Sequence, residues 1–211
     1  MAKVKISELT AKGSNLANSD LLPIAEVSGL GYITKRVSGS NVNTKLFAQT
    51  ADSTAVTNTT TTTSILSTGV GSLTVAANGF TVGDSFFFNI KGDISSLNNA
   101  TITIEIKSGS VVLATSGAVT LPTITNKFFE LEVDFTIRAI GAAATASVMT
   151  VGEFNYVKDG GNQFEGAMFH TLNNTTFNTT VSNTLDVVVT WGAASASNSI
   201  QSHFTNLRRI Y

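Results

Sequence analysis

Residues 101–107 read TITIEIK, a strict two-residue repeat that puts Ile102, Ile104 and Ile106 on one side and Thr101, Thr103, Glu105 and Lys107 on the other. Only an extended strand, whose successive side chains point to opposite faces, gathers those isoleucines onto one surface. The period returns in 128–138, FFELEVDFTIR. There Phe129, Leu131, Val133, Phe135 and Ile137 form an apolar row, and Glu130, Glu132, Asp134, Thr136 and Arg138 a polar one. It returns again in 84–91, DSFFFNIK, where Phe86, Phe88 and Ile90 oppose Ser85, Phe87, Asn89 and Lys91. Further strands are expected at 72–77, 111–115, 146–157, 171–181, 184–191 and 200–211, with turn signals KSGS, DGGN and WGAAS between them. No helix-period segment interrupts this run. Many short strands separated by turn residues predict an all-β, antiparallel two-sheet sandwich over residues 51–211.

Phe87 and Val188 place apolar groups on the nominal outer faces, and Val187 to Val189 is apolar on both. A strand buried on both faces of a two-layer domain needs further cover, which predicts a homo-oligomer or a loop of the same chain. Only 13% of the residues are charged, so the outer faces rely on Thr, Ser and Asn. The Thr-rich run 54–64, TAVTNTTTTTS, reads as a first strand anchored by Val56 and Ile65, with a linker as the alternative.

Residues 1–50 differ. They carry six basic and three acidic residues, against seven and eleven in the remainder, and the chain's net charge is −1. That balance suggests neither nucleic acid nor an anionic membrane as a partner. No apolar run approaches the ~18 residues of a membrane-spanning helix, and the start, MAKVKISELT, lacks the apolar stretch of a secretory signal. Short strands are expected at 3–9, 21–27 and 32–37, with Pro23 placing the second at an edge. Ser38 or Ser40 could cap a short helix running to about Ala48, with Val42 and Leu46 on one face. Such a small unit buries too little surface to stand alone and needs a partner.

Catalytic patterns are sparse. The absence of cysteine excludes disulfides, thiolate chemistry and cysteine-based zinc sites. Glu130, Glu132 and Asp134 share one strand face about 7 Å apart. Such a row could hold calcium or serve glycoside hydrolysis, but active-site carboxylates usually come from different strands, so a solvated outer face is expected. His170 and His203 have no ligand spacing around them, and neither G-x-S-x-G nor H-E-x-x-H occurs. Trp191, the single tryptophan, either packs at a strand end or stacks on a sugar ring beside the loop GAASASNS. The Asn-x-Ser/Thr triplets at Asn58, Asn99, Asn173, Asn174 and Asn178 follow from the abundance of Asn and Thr. No cofactor, no metal and no enzymatic activity are expected.

Two stretches carry a family likeness. KISELTA…SDLLPIAEVSG…YITKRVSGSNV, within residues 5–42, resembles the N-terminal module of tailed-bacteriophage fibre and virion proteins. FTIRAIGAAATASVMTVGEFNYVKDGG…FNTTVSNTLDVVVTWGAASASNSIQSHFTNLRRIY, within 135–211, is similar to the C-terminal jelly-roll head of short trimeric phage structural proteins. The resemblance implies a homotrimer on the virion surface. Residues 1–50 would anchor it to another virion protein through Ile6, Leu9, Leu21, Leu22, Ile24, Val37 and Leu46, with strand addition as a further mode of docking. Residues 51–211 would form a jelly-roll head for adhesion to a host-surface glycan or protein. Its contact loops would be 158–166 and 192–199, with Lys158, Asp159, Asn162, Gln163, Trp191, Ser195 and Asn198 as contact residues. No shaft sequence separates the two parts, so a capsid position fits as well as a tail position. Three rival expectations are a decoration protein that cements the capsid without a receptor, an enzyme that degrades or deacetylates surface polysaccharide, and a cellular carbohydrate-binding module whose location does not need residues 1–50.

Overall fold

A computed structural model of the chain describes residues 21–28, 31–38, 45–161 and 163–210. It divides into two compact units, 1–44 and 45–211. In the first, β1 (Leu21–Ser28) and β2 (Gly31–Ser38) form an antiparallel hairpin, with Leu21 across from Ser38 and Ser28 across from Gly31. These are the strands expected at 21–27 and 32–37. The strand expected at 3–9, with Ile6 and Leu9, lies outside the described residues.

The second unit starts at Lys45, not at residue 51. Where the helix was expected to run on to Ala48, the chain forms β3 (Lys45–Gln49), a strand. A helix face made of Val42 and Leu46 alone is a weak signal. Pairing of Phe47 with Leu207 on one side and with Gly71 on the other decides the conformation instead. Leu46, expected in the anchor, packs against the core of this second unit. Residues 39–44 lie outside the described set.

Short pairings follow: β4 (Val56–Thr57), β5 (Thr63–Ser64), β6 (Gly69–Gly71) and β7 (Thr74–Val75). The Thr-rich run is thus two brief pairings and not one strand. Asn58 has φ of 50°, a left-handed conformation that breaks it, while Val56 and Ile65 are buried as anchors. The long strands are β8 (Ser85–Ser96), β9 (Ala100–Ser108), β10 (Val111–Leu121), β11 (Ile124–Ala139), β12 (Ser147–Val157), β13 (Phe164–Asn174), β14 (Asn183–Trp191) and β15 (Ser199–Arg209). No helix occurs among the described residues, and so none is long and apolar enough to cross a membrane.

The strands form two antiparallel sheets. The larger runs β13-β12-β11-β8-β15-β3-β6, with β4 beside β15, and the smaller runs β10-β9-β14-β5, with β7 beside β14. β8 and β9 are consecutive but lie in different sheets. β11 and β10 flank them on one side, and β15 and β14 on the other. The inward rows read from the sequence meet in one core: Phe88 and Ile90, Ile102 to Ile106, Phe129 to Ile137, and Val187 and Val189. Two sheets closing on a common core are consistent with a β-sandwich.

Two expectations about covered faces are resolved within the chain. Val188 is buried between Glu105 and Ser64, its neighbours across the ladders. Phe87 lies beneath the Arg208 guanidinium, 4.7 Å from the ring centroid. Neither calls for a second copy. The strand expected at 171–181 is also displaced, to Phe164–Asn174. Asn174 Oδ1 accepts from Thr176 N (3.0 Å) and Asn178 Oδ1 from Thr180 N (2.9 Å), and these side-chain turns end the strand.

One core position works against stability. Thr150, on the inner face of β12, is fully buried, and its hydroxyl has no hydrogen-bond partner. Replacing that hydroxyl with a methyl group removes an uncompensated desolvation. Thr150→Val is therefore expected to raise stability by about 1 kcal/mol, read as a higher urea midpoint with an unchanged slope. A lowered midpoint would show that the hydroxyl is satisfied.

Candidate functional site

The two expected contact loops lie at one end of the second unit, and the ladder registers put them there. Ser96 faces Ile124, Ser95 faces Ser199, Ala100 faces Leu121 and Val157 faces Phe164. The 97–99, 122–123, 158–163 and 192–198 connections therefore share that end. Hydrogen bonds tie some of them together. Asn198 Oδ1 accepts from Leu97 N (3.0 Å), Asn198 Nδ2 donates to Ala193 O (3.3 Å), and Ser96 Oγ donates to Pro122 O (2.6 Å). Ser195 O accepts from the backbone N–H groups of Asn58 and Asn198, each at 3.1 Å.

This arrangement changes the contact set. Trp191 is 1% exposed, and its Nε1 donates to Val56 O at 3.0 Å. It is a core residue that cannot stack on a sugar. Asn198 is 2% exposed, and its amide organises the loops from within. Ser195 is half-buried, and its Oγ accepts from Ser197 N at 3.2 Å. Lys158 is bound to Glu165 at 2.5 Å, which holds the Glu165 carboxyl below its ordinary range. Asp159 lies 3.6 Å from Lys127, and Gln163 is exposed. Asn162 lies outside the described residues. Asp159 and Gln163 are thus the exposed ones among the expected contact residues that are described, Lys158 and Ser195 are half-buried, and 158–163 is the loop, since Phe164 begins β13.

On the outer face of the larger sheet, the acidic row is a hydrogen-bonded array. Asn89 Nδ2 donates to Glu130 Oε1 and Glu132 Oε1, both at 3.0 Å, and Lys91 Nζ is 2.7 Å from Glu130. Burial pushes the Glu130 carboxyl up, but the hydrogen bonds from Lys91 and Asn89 outweigh it and leave it below the ordinary value. Partial burial raises Asp134, against the opposing charge of Arg208. Among the described residues no group of three His, Asp or Glu is placed to hold a metal ion. His170 is exposed, whereas His203 bridges two carboxylates, Asp52 and Asp93, at 3.0 Å each.

The sequence pattern missed an exposed apolar group on the same sheet. Phe128 and Phe164 meet edge to face, 6.4 Å between centroids, and Phe164 is 58% and Met168 74% exposed. Phe204 is exposed across from Lys91. The doublet Phe128–Phe129 held the signal, since adjacent strand residues cannot both face the core.

Comparison with protein-family models, with curated proteins and with solved structures finds no match to this chain. Fold and surface define an all-β domain of two antiparallel sheets, joined through its entry strand to a separate β-hairpin unit.

Proposed function

We propose that the chain is a non-enzymatic structural component of a tailed-bacteriophage virion, a short homotrimeric fibre anchored by its N-terminal unit with the 45–211 head displayed for host-surface adhesion. The observation that carries this reading is the polarity of the second unit. The chain enters at Lys45, across from Arg208 at the end of β15, while the loop cluster flanks Ser199 at the start of the same strand. Entry and open loops therefore lie at opposite ends. A two-stranded hairpin is marginal by itself in water. The β1–β2 unit, with Leu21, Leu22, Ile24 and Val37 at paired positions, suits docking to another virion protein by strand addition. The likeness of 5–42 and 135–211 to phage modules supplies the biological setting. A jelly-roll wrap is supported by the nested pairs β8–β15 and β9–β14. The β9–β10 ladder inside the smaller sheet is an addition to that wrap.

Labelling tests it. Antibody against 45–211 is expected to decorate particles in a lysate that produces the chain, and particles whose copy lacks 1–44 are expected to stay bare. Full-length protein is expected to run at three times its 22.1 kDa chain mass in light scattering. Unlabelled wild-type particles, or a monomer, would sink the reading. A second reading, a decoration protein that cements the capsid without a receptor, is favoured by one finding. Two of the seven expected contact residues, Trp191 and Asn198, are internal.

A further inference from the structure

β15 carries a bulge. Ser202 faces Gly92 and Phe204 faces Lys91, which leaves His203 between them without a ladder partner. A bulge re-aims the side chain of its extra residue. Gly92 permits it, because a Cβ there would lie 1.9 Å from Gln201 O. The re-aimed imidazole sits between two strands of sequence that are far apart. Its Nδ1 is 3.0 Å from Asp52 Oδ1, in the segment after β3, and its Nε2 is 3.0 Å from Asp93 Oδ2 on β8.

This geometry has a protonation requirement. Carboxylates only accept, and a neutral imidazole has one donor nitrogen and one acceptor. Both 3.0 Å contacts are attractive only when both ring nitrogens carry protons. We propose that His203, Asp52 and Asp93 form a proton-operated latch that pins the 50–53 segment to the β8–β15 ribbon. The imidazolium closes it, and loss of the ring proton turns one contact into a lone pair facing a carboxylate and opens it.

Among the described residues, the charged groups that act on the ring are the two carboxylates. Asp93 comes from β8 and Asp52 from the 50–53 segment, while β4 presents no charge. Lys91, one turn of the pleat away, is engaged by Glu130, and Lys127, from β11, by Asp159. The hydrogen bonds to Asp52 and Asp93 raise the His203 pKa, with partial burial opposing. A raised folded-state value means the latch's contribution is complete below the ordinary value of about 6.5 and is lost as pH climbs through the raised one. Beneath the latch, Ser53 N donates to Ser202 O (2.9 Å) and Thr50 N to Thr68 O (3.0 Å), so two amides report on the segment.

Nuclear magnetic resonance of the full chain tests the latch. The His203 ring is expected to titrate above the ordinary histidine value of about 6.5, and Asp52→Asn or Asp93→Asn should each lower its midpoint. Exchange protection at the Thr50 and Ser53 amides, corrected for intrinsic rates, should fall by about fivefold as the ring deprotonates, the scale of an exposed ion pair. His203→Gln should remove that pH dependence. The latch is overturned by a His203 midpoint at or below the ordinary value of about 6.5, by midpoints unmoved in both Asp variants, or by protection that falls equally at all amides of the unit.

Discussion

A fragment that begins at Lys45 is expected to unfold at the same urea midpoint as the full chain, at matched protein concentration. A fragment that begins at residue 51 is expected to lose at least about 4 kcal/mol, because truncating a buried Phe alone costs about 3–5 kcal/mol. The six residues between the two starts include all of β3. They supply Phe47 to the core and pair with both β15 and β6. They also supply Gln49, whose Oε1 accepts from Ser202 Oγ (3.2 Å) and Thr205 Oγ1 (2.8 Å). Both of those hydroxyls belong to buried residues, and the loss of a buried acceptor adds a desolvation cost. Equal stability of the two fragments would show that β3 is an ornament on the sheet. A 45–211 fragment much weaker than the full chain would show that the two units depend on each other.

The second large effect concerns Trp191. Trp191→Ala is expected to destabilise by about 3–5 kcal/mol, the range for truncating a large buried aromatic. The indole is fully enclosed and holds Val56 O through its Nε1–H, so the substitution opens a cavity and strands a carbonyl. Trp191→Phe should recover most of the packing and lose about 1 kcal/mol for the hydrogen bond. The chain has one tryptophan, so its fluorescence reports this site alone. The folded protein should emit at short wavelength, with a red shift that coincides with unfolding by circular dichroism. A solvent-like emission from folded protein would contradict the buried placement and restore the sugar-stacking role.

Much of the fold was legible because the signal was local. β9 and β11 announce themselves by alternation over seven or more positions, and each buried row is the one the pattern predicts. The failures share a different cause. β3 owes its form to pairing with β6 on one side and, on the other, with β15 near the far end of the chain, and a short capping pattern could not compete with them. β13 was placed too late because Gly166, Ala167 and Met168 are weak strand formers, while the Asn/Thr run beyond them looked like one and is tied into side-chain turns. Trp191 and Asn198 sit beside a small-residue loop, which suggested exposure, yet each reaches inward to backbone groups that only the fold brings near. The His203 pairing had no sequence signature at all. Its two carboxylates lie 110 and 151 residues away, and a bulge aims the ring.

The strand order has a further consequence during synthesis. β15 lies inside the larger sheet, between β8 and β3, and β14 is the strand on which β5 and β7 depend. A nascent chain that has emerged only through residue 182 has β8 with one flank bare and β3 with no neighbour on that side. Nothing made earlier can fill either position. The second unit therefore assembles after translation of β15, slowly, because its pairings are long-range. Chains stopped early expose hydrogen-bonding edges at the centre of the sheet, and the cell's proteases meet them as unfinished protein.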